Sequence, residues 1–151
     1  MKMSNVFCVI AAFLMLGFSL PSVAEDDDTP DIGQVRANAE KGDADAEYQL
    51  GSLYQKGENI TQSDSEAVKW FRKAAYKKNA DAQFSLGFAY RGGFGVSKDL
   101  IASYMWFDLA ATAGNASAVS LRKDVSLDMT NEQIAEAQKL AHDWQPRFDN
   151  P

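Results

Sequence analysis

An internal repeat constrains the fold of this chain more than any other feature. The stretch 45–60 ("DAEYQLGSLYQKGENI") is followed thirty-six residues later by 81–96 ("DAQFSLGFAYRGGFGV"). An ungapped alignment of 45–80 with 81–116 gives twelve identical positions, whereas typical residue usage would give roughly two by chance. A period of this length is typical of a solenoid, in which similar units stack and contact their neighbours.

Each unit contains two helical patterns. Ala46, Leu50 and Tyr54 recur on one face of a first helix, and a wider apolar face between residues 67 and 75 predicts a second. Gly51 and Gly87 fall inside the first pattern, where glycine costs about 1 kcal/mol relative to alanine. We therefore expect all-α units of antiparallel helix pairs that approach each other closely at these glycines.

The loops carry matching signals in both units. Gly57 and its equivalent Gly93 are placed to end the first helix in a left-handed conformation, and Asn59 stands where the second unit has another glycine. The second helix is expected to begin at Ser63, where Ser-Asp-Ser-Glu forms a capping box, and Asp99 holds the aligned cap position. The two units are thus expected to form the same helix ends with partly different residues.

The second unit, "ADAQFSLGFAYRGGFGVSKD" followed by Trp106-Phe107 and Ala110-Ala111, resembles the Sel-1-like repeat, a bacterial-type relative of the tetratricopeptide repeat. The resemblance covers roughly residues 43–145, with repeat 1 at 43–79 and repeat 2 at 80–115. It implies a short right-handed α-solenoid with capping helices at both ends, in which the first helices line a concave surface. It also implies an adaptor or regulatory role based on protein binding.

Helical patterns flank the two units. Thr29-Pro30 is a start signal for an N-terminal capping helix at 31–42. Residues 116–145 are expected to hold a partial third repeat and a C-terminal capping helix that opens with a capping box at Thr130, and 146–151 form a tail. One side of the last helix is predicted to be apolar, through Ile134, Ala137, Leu140, Ala141 and Trp144. The stretch "LIASYMWFDLAATA" is apolar nearly all round, so we expect this helix to be buried in the middle of the array.

The N-terminus has the pattern of a secretory signal peptide at 1–24. Lys2 precedes an apolar run at 6–18, and small residues before Ala24 predict cleavage after that residue. The run is shorter than the ~20 residues that span a bilayer, and membrane association is expected only in the alternative case of an uncleaved anchor. The expected location is periplasmic or secreted, with 25–30 as an acidic disordered leader that lacks the spacing of a calcium loop.

The composition of the chain argues against several classes of function. The chain has one cysteine, Cys8, which lies in the signal peptide, so we expect the mature chain to have neither a disulfide nor thiol catalysis. The formal net charge of −6 argues against nucleic acid as a general partner. A protein or peptide partner fits a repeat protein of this charge better.

The outward positions of the two first helices are the candidate partner-binding residues. In the second unit these positions include aromatic residues and an arginine, which are typical of binding hot spots. An alternative for Tyr48 and Phe84 is that they pack between adjacent units. Phe88 and Arg91 are the stronger candidates, because their chemistry differs from that of their equivalents in the first unit. The full candidate set is Tyr48, Ser52, Gln55, Phe84, Phe88 and Arg91.

A basic helix face offers a second candidate surface. Lys69, Arg72, Lys73 and Lys77 recur at helical spacing in an otherwise acidic protein. This face is either a solvated helix surface or an electrostatic binding site for anionic surfaces of the cell envelope. The second hypothesis predicts envelope association that is sensitive to salt.

Signals for catalysis are few. The single histidine, His142, is followed by Asp143, which a helix would place about 100° away, so we expect no orienting pair. The sequence has no nucleophile elbow, phosphate loop or two-histidine metal motif. We therefore predict no enzyme activity, cofactor or metal, and a hydrolytic alternative would have to depend on His142.

Overall fold

The computed structural model describes residues 31–144. This part of the chain folds into seven α-helices without a β-strand, and the helices stack as a solenoid, which confirms the predicted fold class. The signal peptide, the acidic leader, Thr29-Pro30 and the tail at 146–151 lie outside the described residues. The helices are α1 (Ile32–Glu40), α2 (Ala44–Lys56), α3 (Asp64–Tyr76), α4 (Ala80–Gly92), α5 (Leu100–Thr112), α6 (Ala116–Ser126) and α7 (Asn131–His142).

The two repeat units are the helix pairs α2–α3 and α4–α5. Each second helix packs on the first helix of its own unit and also on the first helix that follows, so that α3 lies against α4 and α5 lies against α6. The rings of Phe71 and Phe107 are fully buried at the crossing of each pair. A β-carbon at Gly51 would lie 2.6 Å from the Phe71 ring, and one at Gly87 would lie 2.7 Å from the Phe107 ring. The predicted close approach at both glycines is confirmed.

The helix ends follow the predicted loop chemistry. Gly57 (φ 72°) and Gly93 (φ 75°) adopt the left-handed conformation at the ends of α2 and α4, and Asn59 (φ 56°) adopts it as well. One left-handed residue was missed by the sequence patterns. Lys78 (φ 65°) follows α3 at the position that Gly114 occupies after α5, a conformation that costs a residue with a β-carbon roughly 1 kcal/mol or more.

The predicted capping box at Ser63 forms only in part. The Ser63 hydroxyl accepts a hydrogen bond from the Glu66 amide, as expected for an N-cap. The Ser63 amide, however, donates to the Tyr54 carbonyl oxygen at 2.9 Å, so it has no need of the Glu66 carboxylate. Glu66 is instead paired with Lys69. The full reciprocal box is present at Thr130, where both hydrogen bonds with Gln133 form.

Helix α1 lies within the predicted range of the N-terminal capping helix. Its first residue is Ile32, and its N-cap is Asp31, whose carboxylate accepts a hydrogen bond from the Gly33 amide at 2.9 Å. Aspartate is one of the favoured N-cap residues, because its carboxylate accepts from an amide that the first turn leaves unpaired. Val35 and Ala39 bury the inner face of α1 against α2, which closes that end of the core.

Helix α5 lies at the centre of the array, as its all-round apolar sequence predicts. It packs against α4, α6 and α7, and its buried residues include Trp106 and Phe107. Helix α7 packs mainly on α5, and Trp144 just beyond it packs on Trp106 at 5.8 Å between ring centroids. Leu140, which lies on the predicted apolar side of this helix, is 45% exposed.

None of the helices within residues 31–144 combines the length and the apolar character that crossing a membrane requires.

Candidate functional site

Two exposed phenylalanine rings stack at the C-terminal end of α4. Phe88 lies one turn before the end of the helix and is 43% exposed, and Phe94 lies in the following loop and is 44% exposed. Their ring centroids are 6.0 Å apart and their planes differ by 16°. Stacked aromatic rings that remain open to solvent present a flat apolar surface to any partner.

Gly92 explains why the rings can stack. It is the last residue of α4, and a β-carbon at this position would overlap the ring of Phe94. The absence of a side chain therefore lets Phe94 fold back over the helix end towards Phe88. The left-handed turn at Gly93 reverses the chain between the two rings.

Arg91 completes the site. Its side chain is half-buried and lines a shallow concavity of about 290 Å³ together with Phe88, Gly92 and Phe94. Within residues 31–144 the Arg91 guanidinium has neither a hydrogen bond nor an ion pair. We refer to Phe88, Arg91 and Phe94 as the α4 patch.

The equivalent surface of the first unit is polar. Ser52 stands in place of Phe88, and its hydroxyl donates to the Tyr48 carbonyl oxygen at 3.1 Å. Glu58 stands in place of Phe94 and pairs with Lys56 at 3.7 Å, with both side chains well exposed. The same fold therefore forms without an aromatic stack or an arginine at this position, so the scaffold does not need the α4 patch.

Tyr48 and Phe84 lie apart from the α4 patch. Both are half-buried, and each packs on the central phenylalanine of its own unit, Tyr48 on Phe71 at 5.8 Å and Phe84 on Phe107 at 5.7 Å. These ring contacts lie within one unit, whereas the packing alternative placed the two residues between adjacent units. Of the six predicted positions, the structure brings Phe88 and Arg91 together in one concavity, and Ser52 and Gln55 lie at the corresponding place in the first unit.

Every cation of the predicted basic face has a partner within the chain. Carboxylates compensate the charges of Lys69 and Lys77, and neutral groups hold the other two cations, so the face offers less free positive charge than its sequence indicates. The partners are Glu66 for Lys69 at 3.5 Å, the Tyr90 hydroxyl for Arg72 at 2.8 Å, the Trp70 ring for Lys73 at 4.0 Å and Glu47 for Lys77 at 2.6 Å.

The expectation for His142 and Asp143 was wrong. The His142 Nδ1 atom lies 3.0 Å from an Asp143 carboxylate oxygen. The contact forms because Asp143 is the C-cap of α7 and both side chains are exposed and free to turn towards each other. No further titratable residue contacts this pair within the part of the chain that the structure describes.

Other signs of a chemical site are weak. Residues 31–144 contain no group of three or more histidine, cysteine, aspartate or glutamate side chains that would suit a metal ion. The pKa of Glu132 is lowered by hydrogen bonds from its own backbone amide and from Thr130, but this carboxylate is fully exposed at the start of α7. The shift reflects helix capping and marks no pocket.

Phe94 is the one member of the α4 patch that the sequence patterns missed. The signal that singles out Phe88, a mismatch between aligned positions of the two units, is also present at Phe94, which aligns with Glu58. The loop position hid it, because helical spacing selects only residues within α4. The comparison of units, applied to loops as well as helices, finds the whole patch.

Known protein families and solved structures include proteins that are similar to this chain. The family model described as "Sel1 repeat" matches residues 44–79 and 80–115. One similar solved structure is a protective antigen present in uropathogenic Escherichia coli strains and displaying an SLR fold. It is 30% identical with a TM-score of 0.71, over 73% of this chain and 24% of that one.

A second similar structure is a Sel1 repeat protein from Oxalobacter formigenes. It is 41% identical with a TM-score of 0.54, over 55% of this chain and 63% of that one. The chain thus spans less than two thirds of the length of either solved relative. No curated protein matches the chain.

Proposed function

The chain is a Sel1-repeat protein, and on that premise we propose that it is an exported interaction module that holds a protein or peptide segment on the α4 patch. Sel1 repeats generally mediate protein–protein interactions. The observation that carries the proposal for this chain is the exposed Phe88–Phe94 stack beside the Arg91 guanidinium, which has no hydrogen-bond or ion-pair partner within the described residues. Aromatic residues and arginine contribute most of the binding energy at many protein interfaces.

The comparison between units supports this assignment. Leu50 and Leu86, which are identical in the two units, are fully buried and hold the helices together. The α4 patch lies where the units differ. At this place in the first unit Ser52 donates to a backbone carbonyl oxygen and Glu58 pairs with Lys56. A surface that is dispensable for folding and rich in aromatic residues is well suited to a partner. An adaptor or regulatory role needs no catalytic group.

Export is the second part of the proposal. It is supported by the N-terminal sequence, in which a positive residue, an apolar run and small residues precede Ala24. Edman or mass-spectrometric sequencing of the protein purified from its own cells tests this part. A mature N-terminus at Glu25 in the periplasm or the medium supports export, and an intact Met1 in the cytoplasm contradicts it.

Site-specific photo-cross-linking tests the interaction itself. A benzophenone amino acid is placed at residue 88 in one variant and at residue 52, the equivalent position of the first unit, in the other. Irradiation of living cells is expected to give a discrete cross-linked product from position 88 and none from position 52. Equal labelling from both positions, or none from either, would contradict binding at the α4 patch.

The basic face is the alternative binding surface, and the structure favours it less. Its four cations already contact Glu66, Tyr90, Trp70 and Glu47 within the chain. An envelope fraction washed in high salt separates the alternatives, because electrostatic attachment is screened at high ionic strength whereas apolar contacts persist. Retention of the protein after the wash is expected for the α4 patch, and release supports the basic face.

A further inference from the structure

The charge of Arg91 has no partner among residues 31–144. Two of the other arginines within residues 31–144 have partners, since Arg72 donates to the Tyr90 hydroxyl and Arg122 pairs with Asp108. Arg36 is unpaired but exposed, so water solvates it. Arg91 is half-buried beside two aromatic rings, which limits its access to water. A planar guanidinium in this setting gains most from a carboxylate, which accepts two parallel hydrogen bonds.

The shape of the concavity limits the size of its occupant. It holds about 290 Å³, is shallow, and is lined by only four residues, Phe88, Arg91, Gly92 and Phe94. Small-molecule sites enclose most of their ligand, and this concavity is too open to do so. It has room for one apolar side chain that projects from a larger partner, with the two phenylalanine rings as its apolar wall.

We propose that the α4 patch binds an acidic peptide segment, in which an aromatic or aliphatic side chain packs on Phe88 and Phe94 while a neighbouring carboxylate pairs with Arg91. The inference deepens the proposed function and rests on it. A single guanidinium matches a single carboxylate, whereas a membrane surface or a nucleic acid binds through several cations at once. The net charge of −6 disfavours such extended polyanions further.

Matched sets of short peptides test the proposal. Each peptide carries a central phenylalanine or leucine, and the flanking residues are Glu and Asp in the first set, Gln and Asn in the second, and Lys in the third. Binding to the purified protein is measured by fluorescence anisotropy. A charge-assisted pair is stronger than a neutral hydrogen bond, so the acidic set is expected to bind at least about tenfold more tightly than the amide set.

The first unit supplies the test variants. Arg91→Gln and Phe88→Ser place the residues of the first unit into the second, and the native first unit shows that the fold accepts them. Arg91→Gln is expected to remove the preference for acidic over amide peptides. Phe88→Ser is expected to weaken both sets to the same extent, because it removes the apolar wall and leaves the charge.

Gly92→Ala gives an independent test of the apolar wall. The new methyl group would overlap the Phe94 ring and push it away from Phe88, while Arg91 is unchanged. Gly92 lies within α4 and has no left-handed conformation, so alanine fits its backbone. The variant is expected to bind both peptide sets more weakly and to keep the ratio between them, and circular dichroism shows whether the helices are intact.

The outcomes separate this inference from the proposed function. No binding by the acidic set, equal binding by the acidic and amide sets, tighter binding by the lysine set, or an acidic preference that survives Arg91→Gln would overturn the inference. Binding to anionic phospholipid vesicles that Arg91→Gln abolishes would also overturn it. If cross-linking from residue 88 still captures a protein in any of these cases, the proposed function stands and only the chemistry of the partner is different.

Discussion

Gly87 shows how a single residue sets the distance between two helices. It lies in α4 opposite the ring of Phe107, and a β-carbon there would lie 2.7 Å from ring atoms. Two effects of Gly87→Ala oppose each other. Alanine favours the helix by about 1 kcal/mol, and overpacking in a core costs about 1–3 kcal/mol. Phe107 is fully buried and its ring meets the new methyl group at several atoms, so we expect the packing effect to be the larger one.

We predict that Gly87→Ala lowers the free energy of unfolding by about 1–2 kcal/mol, measured by urea denaturation. Phe107→Leu removes the ring that the methyl group meets. The double variant is therefore expected to lose about 1 kcal/mol less stability than the sum of the losses in the two single variants. Additive effects would show that the contact between Gly87 and the ring is not what limits the helix approach.

Glu47 and Lys77 form the best-shielded ion pair among the described residues. The Glu47 side chain is 3% exposed, and its carboxylate is 2.6 Å from the Lys77 ammonium, which also donates to the Gly42 carbonyl oxygen. The second carboxylate oxygen of Glu47 is buried without a partner. The equivalent residue of the second unit, Gln83, is buried but uncharged. The charge at position 47 thus depends on Lys77 for its compensation.

Removal of one partner is expected to cost more than removal of both. Lys77→Met leaves a buried carboxylate unpaired and is predicted to lower the free energy of unfolding by about 3 kcal/mol. The double variant Glu47→Gln with Lys77→Met is expected to recover more than half of this loss, because no buried charge remains. Urea denaturation at pH 7 measures both, and an equal loss in the double variant would contradict the explanation.

At the scale of helices, the C-terminal segment ties the two units together. Trp144 follows α7 and stacks on Tyr76 of α3 at 6.2 Å, with the ring planes at 12°. The same indole meets Trp106 of α5 edge-on at 5.8 Å. One residue near the end of the described chain therefore contacts the second helix of each unit, and we infer that it anchors α7 on the array.

Trp144→Ala is predicted to destabilise the protein by about 2 kcal/mol. This loss is smaller than that expected for a fully buried tryptophan, because the Trp144 ring is half-exposed. Hydrogen exchange should accelerate first in α7, where the anchor is lost. Leu140→Ala is the matched control on the same helix, since Leu140 is 45% exposed and its truncation is expected to change stability by less than about 0.5 kcal/mol. Similar effects of the two changes would argue against an anchoring role.

Local signals predicted the helices well and the contacts between distant helices poorly. The left-handed residues at Gly57 and Gly93, and the N-caps at Ser63 and Thr130, depend on a few neighbouring residues, so the sequence contains them in full. The packing of Trp144 on Tyr76 joins residues far apart in the chain. Nothing in the local pattern around either residue specifies the other.

At the scale of the whole molecule, a comparison of the two repeat units distinguishes the residues that form the scaffold from those that form the candidate binding site. Matched positions such as Gly51 and Gly87 make equivalent contacts in the two units. The positions that differ expose an aromatic surface in the second unit and an ion pair between Lys56 and Glu58 in the first. The positions that are identical in the two units account for the solenoid. Any binding activity specific to this protein has to come from the positions that differ.

The site was predictable only in part for the same physical reason. Phe88 and Arg91 stand out because their types differ from those of the first unit. Two partners of the basic face were hidden, because Arg72 contacts Tyr90 eighteen residues later and Lys77 contacts Glu47 thirty residues earlier in the chain. The type of a residue indicates which groups its side chain is able to bind. Only the tertiary fold shows whether another part of the chain already contacts that side chain.

The most direct test of the account measures how tightly the partner captured by cross-linking binds when the α4 patch is replaced by its first-unit counterpart. The variant Phe88→Ser, Arg91→Gln, Phe94→Glu is compared with a control that carries Ser52→Ala and Glu58→Ala, using isothermal titration calorimetry. We predict at least about a tenfold loss of affinity for the patch variant, no significant loss for the control, and the same helical content and unfolding midpoint for both. Unchanged affinity in a correctly folded patch variant would contradict the central claim that this surface holds the partner.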